Sequence, residues 1–254
     1  NLSVSLQLIS DMPAVSVVIP THNRPDLLTE ALASVRAQTF TNYEIVISDD
    51  GDLGTATEEM VASFADPRVR VIRTPHPHSG GSMARNCGAR ESQAALIAFL
   101  DDDDEWLPHK IERQLAALES ASPRTAYCFS SILMDYEGKE VLNRVEEGEG
   151  DFAERALRRF SGTMTSSLVV RRDAFFDVGG FDEAFPSHQE AELMIRLAER
   201  YHGVGIAEPL VRMKVAVGRE HVGGDIARRI EGREMLLAKH AKRYAAHPAL
   251  LARH

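Results

Sequence analysis

The sequence predicts a doubly wound α/β protein, and three observations carry that reading. Short β-branched runs alternate with segments whose apolar residues recur at helical spacing. Residues 94–100 form seven uninterrupted apolar positions, the pattern of a strand covered on both faces. Three of the first four runs end in polar clusters, Pro20-Thr21-His22-Asn23, Asp49-Asp50 and Asp101-Asp102-Asp103-Asp104. Right-handed crossovers gather such ends on one rim of the sheet, where open α/β folds bind ligands.

The first strand is expected at residues 15–19, closed by Pro20. Pro25 suits a first helical turn, and Leu28, Leu32 and Val35 make 26–38 a helix. Residues 44–48 are the second strand. A helix over 55–65 follows, with Thr55 and Glu58 spaced as a capping box. The third strand is 69–72. A loop around Gly80 and Gly81 then opens a helix through Ala84, Cys87 and Ala89, ahead of the strand at 94–100. The second half is less regular: a helix at 108–119, strands at 126–134 and 163–170, and a hairpin turn at 136–140. Residues 146–151 read as a solvated acidic loop, 178–183 as a turn needing small residues, and 189–201 as a helix. The tail, 225–243, reads as a basic surface helix. No linker divides the chain, which is expected to be one domain over 1–254. Within it, 14–120 would form the regular first half, 121–224 the less regular second half and 225–254 a helical tail.

The net charge of −9 excludes a broad basic surface for nucleic acid. Cys87 and Cys128 show no metal-ligand spacing and are expected as reduced thiols in a cytoplasmic protein. No apolar run is long enough for a transmembrane segment, and residues 1–13 lack the pattern of a signal peptide. Peripheral contact with a membrane stays open, and the oligomeric state is not legible.

The acid run after residue 100 is the strongest chemical signal. Carboxylates ~5 Å apart repel by roughly 3 kcal/mol per pair at an effective dielectric near 20. Packing several beside a buried strand therefore calls for solvent or a cation, which predicts a divalent-ion site. Asp49-Asp50 ends another strand and can accept hydrogen bonds from a base or a ribose. Arg85, in a first helical turn, could neutralise a diphosphate or pin the aspartates. Gly80 and Gly81 would let backbone N–H groups approach a ligand. Glu190 and Glu192 start the late helix about 200° apart, so only one can reach the rim as a general base. His22 lies on the rim, and His221 lies in a glycine-bearing polar loop. Walker-type, dinucleotide, zinc and nucleophile-elbow motifs are missing from the sequence.

Taken together, residues 15–23 and 38–46, Asp49-Asp50-Gly51, Ala84-Arg85-Asn86-Cys87-Gly88 and residues 99–108 resemble the start of a family 2 glycosyltransferase. Gly179-Gly180-Phe181-Asp182-Glu183 and residues 189–197 extend the resemblance to about residue 200. It implies a GT-A fold with a Rossmann-like, mostly parallel central sheet, helices on both faces and a smaller acceptor-side subregion. It also implies a nucleotide-sugar donor (UDP-, GDP- or dTDP-linked), a divalent cation (Mn²⁺ or Mg²⁺) and inversion at the anomeric carbon. The acceptor would be a hydroxyl of a glycan, a lipid-linked glycan or a small molecule.

Carried across, Pro20, Thr21, His22 and Asn23 would contact the nucleotide, and Asp50 the base or ribose with Asp49 beside it. Arg85 would lie near the diphosphate, with the Gly80 backbone approaching the donor. Asp101 and Asp102 would support the ribose and the metal shell, Asp103 would hold the metal, and His221 occupies the place of a metal- or diphosphate-binding histidine. Trp106 would pack beneath the site, and Asp104 and Glu105 would begin the next turn. The family presents Glu-Asp where this chain has Gln189-Glu190, so Glu190 offers the base carboxylate on one extra methylene, with Glu192 as the fallback. The alternative is a non-catalytic nucleotide-sugar or carbohydrate-binding protein of the same fold.

Overall fold

The computed structural model describes residues 12–158, 164–215 and 226–251. Its first half is the expected alternation: β1 (Val15–Thr21), α1 (Pro25–Arg36), β2 (Tyr43–Asp49), α2 (Ala56–Ser63), β3 (Val69–Arg73), α3 (Gly81–Glu91) and β4 (Leu96–Phe99). These four strands are parallel in the order β3-β2-β1-β4, with Val15 opposite Tyr43 and Leu96 and with Thr21 opposite Asp49. β1 and β2 are buried along their whole length. The period of two explains how: Val15, Val17 and Ile19 face one core with α1, while Val18 joins Ala89 and Phe99 in the other. On α1, Leu28, Ala31, Leu32 and Val35 are fully buried. Each of its larger aliphatics contributes about 1.5–3 kcal/mol by leaving water.

The second half adds β5 (Asp104–Trp106), α4 (Lys110–Ser120), β6 (Thr125–Tyr136), β7 (Lys139–Asn143), β8 (Gly148–Gly150), α5 (Ala153–Leu157), a 3₁₀ turn (Thr165–Ser167), β9 (Val169–Arg171), α6 (Arg172–Asp177), α7 (Gln189–Arg200) and β10 (His202–Lys214). α8 (Ile226–Lys239), α9 (Ala241–Ala246) and α10 (Pro248–Leu251) complete the described chain. The ten-stranded sheet continues as β4-β9-β6-β10-β5, with β7 on β6 and β8 on β10. β9 is antiparallel to both β4 and β6, so the sheet becomes mixed beyond β4.

Several expectations need correction. Residues 146–151 are not simply a loop: Gly148–Gly150 pairs with Gly203–Gly205 of β10, an edge pairing whose side chains stay largely in solvent and therefore look polar. Asp104 and Glu105 belong to β5, paired with Met213 and Arg212, rather than to a turn. The 163–170 strand is a 3₁₀ turn followed by β9, and Thr163 lies outside the described residues. The capping box at Thr55 is not formed, because the Thr55 hydroxyl donates to Glu59 while Glu58 accepts from Arg73. The single tail helix is broken at His240, and its start at Asp225 lies outside the described residues. It is docked rather than superficial, with Leu236, His240, Tyr244 and Leu250 buried. β10 was not anticipated at all.

Candidate active site

The parallel strands deliver the predicted polar clusters to one rim. At the end of β2, Asp50 is buried and its carboxylate is surrounded by donors. Oδ1 accepts from the Thr74 hydroxyl (2.7 Å) and the Ser79 N–H (2.8 Å), and Oδ2 accepts from the Gly80 N–H (2.7 Å). Asp50 thus shapes the loop ahead of α3, and Gly80 takes the left-handed φ of 91° that this approach requires. Asp49 accepts from the Gly51 N–H (2.9 Å) and faces Arg73 at 3.6 Å. A Cβ at Gly51 would lie 2.3 Å from the Asn23 side-chain oxygen, so the close approach of the two turns needs glycine there.

In the turn after β1, Pro20 is buried and Asn23 has φ 52°. Asn23 is tied to Asp52 by two hydrogen bonds of 2.9 Å, one to its carboxylate and one from its backbone N–H. His22 Nδ1 lies 2.9 Å from the Asp50 carbonyl, and its ring meets that of His78 edge-on at 4.6 Å.

The acids after β4 occupy four different environments. Asp101 pairs with Arg85, whose Nε and Nη2 both donate to Oδ1 at 3.1 and 2.5 Å. Burial works against the Arg85 charge, but Asp101, Glu190 and Asp103 around it outweigh that effect and raise its pKa. Gly81 makes this possible, since a Cβ there would meet the guanidinium at 3.0 Å. Asp102 is buried and accepts from the Thr21 hydroxyl (2.8 Å) and from Arg24 (2.5 Å). Burial pushes its pKa up to about 7 against the opposing pull of Arg24 and Thr21.

Asp103 is the open one. Its side chain is 33% exposed, with Arg24 at 3.3 Å. Asp104 is buried beneath the turn, where the Ser166 hydroxyl donates to it and also accepts from the Asp101 N–H (3.0 Å). Burial, together with the neighbouring aspartates, raises the Asp104 pKa well above the usual carboxylate range. Trp106 packs beneath as expected, donating its indole N–H to the Ser166 carbonyl at 2.8 Å.

α7 brings the late acids in from the other half of the sheet. His188, at φ 60°, starts the helix in a left-handed conformation. Glu190 lies within electrostatic range of Arg85 and Asp101; burial raises its pKa, Arg85 opposes and Asp101 assists. Glu192 is on the opposite side, fully buried among Arg196, Lys239 (2.8 Å) and His240 (3.2 Å). Burial alone would raise its pKa, but hydrogen bonds from His240 and Arg196 and the Arg196 charge pull it down to about 2. It cannot serve as the fallback base. A cavity of about 420 Å³ beside the Gly179-Gly180 turn lies by this second cluster, and its charges are committed to one another, Lys239 to Asp182 and Arg90 to Glu183.

The rim therefore gathers Thr21, His22, Asn23, Asp49, Asp50, Gly80, Arg85, Asp101, Asp102, Asp103 and Glu190, whereas His221 lies outside the described residues. Among the described residues, no group of three or more His, Cys, Asp or Glu side chains is placed to hold a metal ion. Among the described acids of the turn, Asp103 is the most exposed hard oxygen donor at 33%, with Asp101 next at 27%. That suits a small divalent ion that takes one or two carboxylates and completes its shell with phosphate oxygens and water. Arg24 and Ser166 were missed in the sequence. Arg24 sits between the rim asparagine and Pro25, and an arginine opposite an acid run could have been weighed there; Ser166 left no comparable signal.

A sheet of parallel strands ending in a caged aspartate and an acidic turn, extended by a mixed half that returns one glutamate to the rim, is the architecture of a GT-A glycosyltransferase. S. aureus TarS 1-349, solved in complex with UDP-GlcNAc, superposes with a TM-score of 0.70 at 17% identity over 82% of this chain and 60% of that one. The mannosyltransferase PcManGT from Pyrobaculum calidifontis, solved with GDP-Man and Mn²⁺, superposes with a TM-score of 0.65 at 19% identity over 91% and 65%. Residues 16–131 match the family described as Glycosyl transferase family 2. The GalNAc(5)-diNAcBac-PP-undecaprenol beta-1,3-glucosyltransferase of Campylobacter jejuni is 28% identical over 193 residues, 73% of this chain and 60% of that enzyme. The chain thus spans about three fifths of the length of these proteins. Over residues 16–131 it is thus similar to family 2 glycosyltransferases, and its curated relatives are glycosyltransferases. No helix among the described residues is long and apolar enough to cross a membrane.

Proposed function

We propose that this enzyme transfers a sugar, with inversion, from a nucleoside-diphosphate donor on the rim to an acceptor hydroxyl activated by Glu190. The observation that carries this reading is that Glu190, from a segment nearly ninety residues further on, lies within electrostatic range of the Arg85–Asp101 pair. Arg85 and the loop shaped by Asp50 hold the donor's nucleotide end, flanked by His22, Asn23 and Asp49. UDP-, GDP- and dTDP-sugars all present the diphosphate this rim would recognise. Asp103, with support from Asp101 and Asp102, holds a Mn²⁺ or Mg²⁺ ion, which when bound stabilises the charge that builds on the leaving diphosphate.

Glu190 takes the acceptor proton as the acceptor oxygen attacks C1 opposite the diphosphate. Burial raises its pKa, the direction that makes a carboxylate a stronger base. One carboxylate and one displacement give inversion. The acceptor is a glycan, lipid-linked or small-molecule hydroxyl, and the lipid-linked class has the support of the Campylobacter relative's name. A lipid-linked acceptor would bring a cytoplasmic enzyme to a membrane surface.

Donor turnover with Asp103→Ala and Glu190→Gln tests the assignment. Activity retained by both variants in the presence of Mn²⁺ sinks it. A thermal-shift screen of UDP, GDP and dTDP, with and without Mn²⁺, identifies the nucleotide, because ligands that bind only the folded state raise the melting temperature.

A further inference from the structure

We infer that Arg24 is a built-in competitor for the divalent cation at Asp103, holding the acidic turn together when no ion is there and weakening the turn's affinity for one. The inference rests on the proposed role of Asp103 and adds a residue to which that reading gave no part. The guanidinium of Arg24 bridges two carboxylates unequally, 2.5 Å to Asp102 and 3.3 Å to Asp103. Its anchor, Asp102, is 1% exposed, whereas Asp103 is 33% exposed and Arg24 itself 44%. The short contact is thus to the carboxylate that an incoming ion reaches least easily, and the long contact is to the one it reaches first.

The backbone beneath Arg24 is well held. Asn23, one residue earlier, is locked to Asp52 on both sides of its amide, and Pro25, one residue later, opens α1. Only the side chain has freedom, and half of it is in solvent.

Charge counting gives the consequence. Asp101 is matched by Arg85, while Asp102 and Asp103 share Arg24, so three carboxylates face two guanidinium groups. A divalent ion at Asp103 would stand a few ångströms from the Arg24 charge. Even at the dielectric of water, a charge of +1 and a charge of +2 about 5 Å apart repel enough to cost roughly tenfold in affinity. A diphosphate would offer the planar fork of Arg24 oxygens that match its geometry, and would draw it off Asp103. Arg24 is a positioning residue in this scheme.

The test is binding of Mn²⁺ alone, without nucleotide, followed by electron paramagnetic resonance of the free ion on the intact chain. Arg24→Gln, which keeps a hydrogen-bond donor for Asp102, and Arg24→Met both remove the charge. Each is expected to bind Mn²⁺ roughly tenfold more tightly than wild type, and Arg24→Lys is expected to return most of the way to wild-type affinity. A purely structural role predicts the opposite sign, since a disordered turn binds the ion less well. Equal or weaker Mn²⁺ binding in the neutral variants, with wild-type binding still dependent on Asp103, overturns the inference and leaves the proposed function standing. Mn²⁺ binding indifferent to Asp103→Ala overturns the metal assignment, and the role of Arg24 with it.

Discussion

Two clusters of charge lie on either side of Gln189–Arg200, and they are built on opposite terms. At the rim, the acids of the β4 turn outnumber the guanidinium groups that face them, and Asp103 remains open to solvent. Behind α7, the single carboxylate of Glu192 is met by Arg196, Lys239 and His240 and is sealed from water. The pKa directions follow: burial holds Asp102 and Glu190 up, whereas Glu192 is pulled down to about 2. Glu190 and Glu192 are two residues apart on one helix, yet one is within electrostatic range of the rim charges and the other is bonded to α8. A carboxylate that stays short of partners can accept a cation or a proton, and one that is fully paired can only hold structure.

Substitutions separate the two clusters. Glu190→Gln should lower kcat by about 10²–10⁴-fold while the melting temperature stays put; unchanged kcat would remove Glu190 from the mechanism. Glu192→Ala leaves Arg196 and the buried His240 without their carboxylate and should cost about 3–5 kcal/mol in urea unfolding, with α8 the first element to lose amide protection. A loss below 1 kcal/mol would mean that packing, not charge, docks the tail. Asp103→Ala should reduce kcat/KM by about 10²–10³-fold with the fold intact by circular dichroism, and should abolish the response to Mn²⁺.

The smallest effect is on pH dependence, and the two clusters should differ in sign. The Glu192 carboxyl falls from 4.5 to about 2 on folding, so its stabilisation is present above pH 4.5 and is lost as the pH falls through about 2. At 1.36 kcal/mol per pH unit this amounts to roughly 3 kcal/mol. Asp102 is raised from 3.8 to about 7, so its contribution is present below pH 3.8 and is lost as the pH rises through about 7. Denaturation curves in EDTA between pH 2 and pH 8 check both arms, and Glu192→Gln should erase the acidic one alone.

The parallel half was legible because its information is local. The run 94–100 and the β-branched segments at 15–19 and 44–48 are too apolar to be anything but covered strands, and their polar ends mark the rim. β10 was not legible. His202–Lys214 carries Gly203, Gly205, Glu208, Pro209 and Arg212, which reads as loop, and it is a strand because β6 runs along one side while β5 and β8 pair along the other. The short β8 escaped for the same reason, since its side chains do not repeat a pattern that core packing would impose.

By itself the sequence determined the parallel α/β unit, the acid run at its rim and the late helix that carries Glu190 and Glu192. Periodicity and composition decide which segments are buried, and those suffice for a parallel α/β unit. Only the tertiary structure decided which charges meet. Arg24 reaches Asp102 and Asp103 across nearly eighty residues, Arg85 pairs with Asp101 within electrostatic range of Glu190, and His240 closes on Glu192 from the tail. Electrostatic pairing falls off within a few ångströms, and distances of that order between remote segments are set by the packing of the whole sheet and its helices.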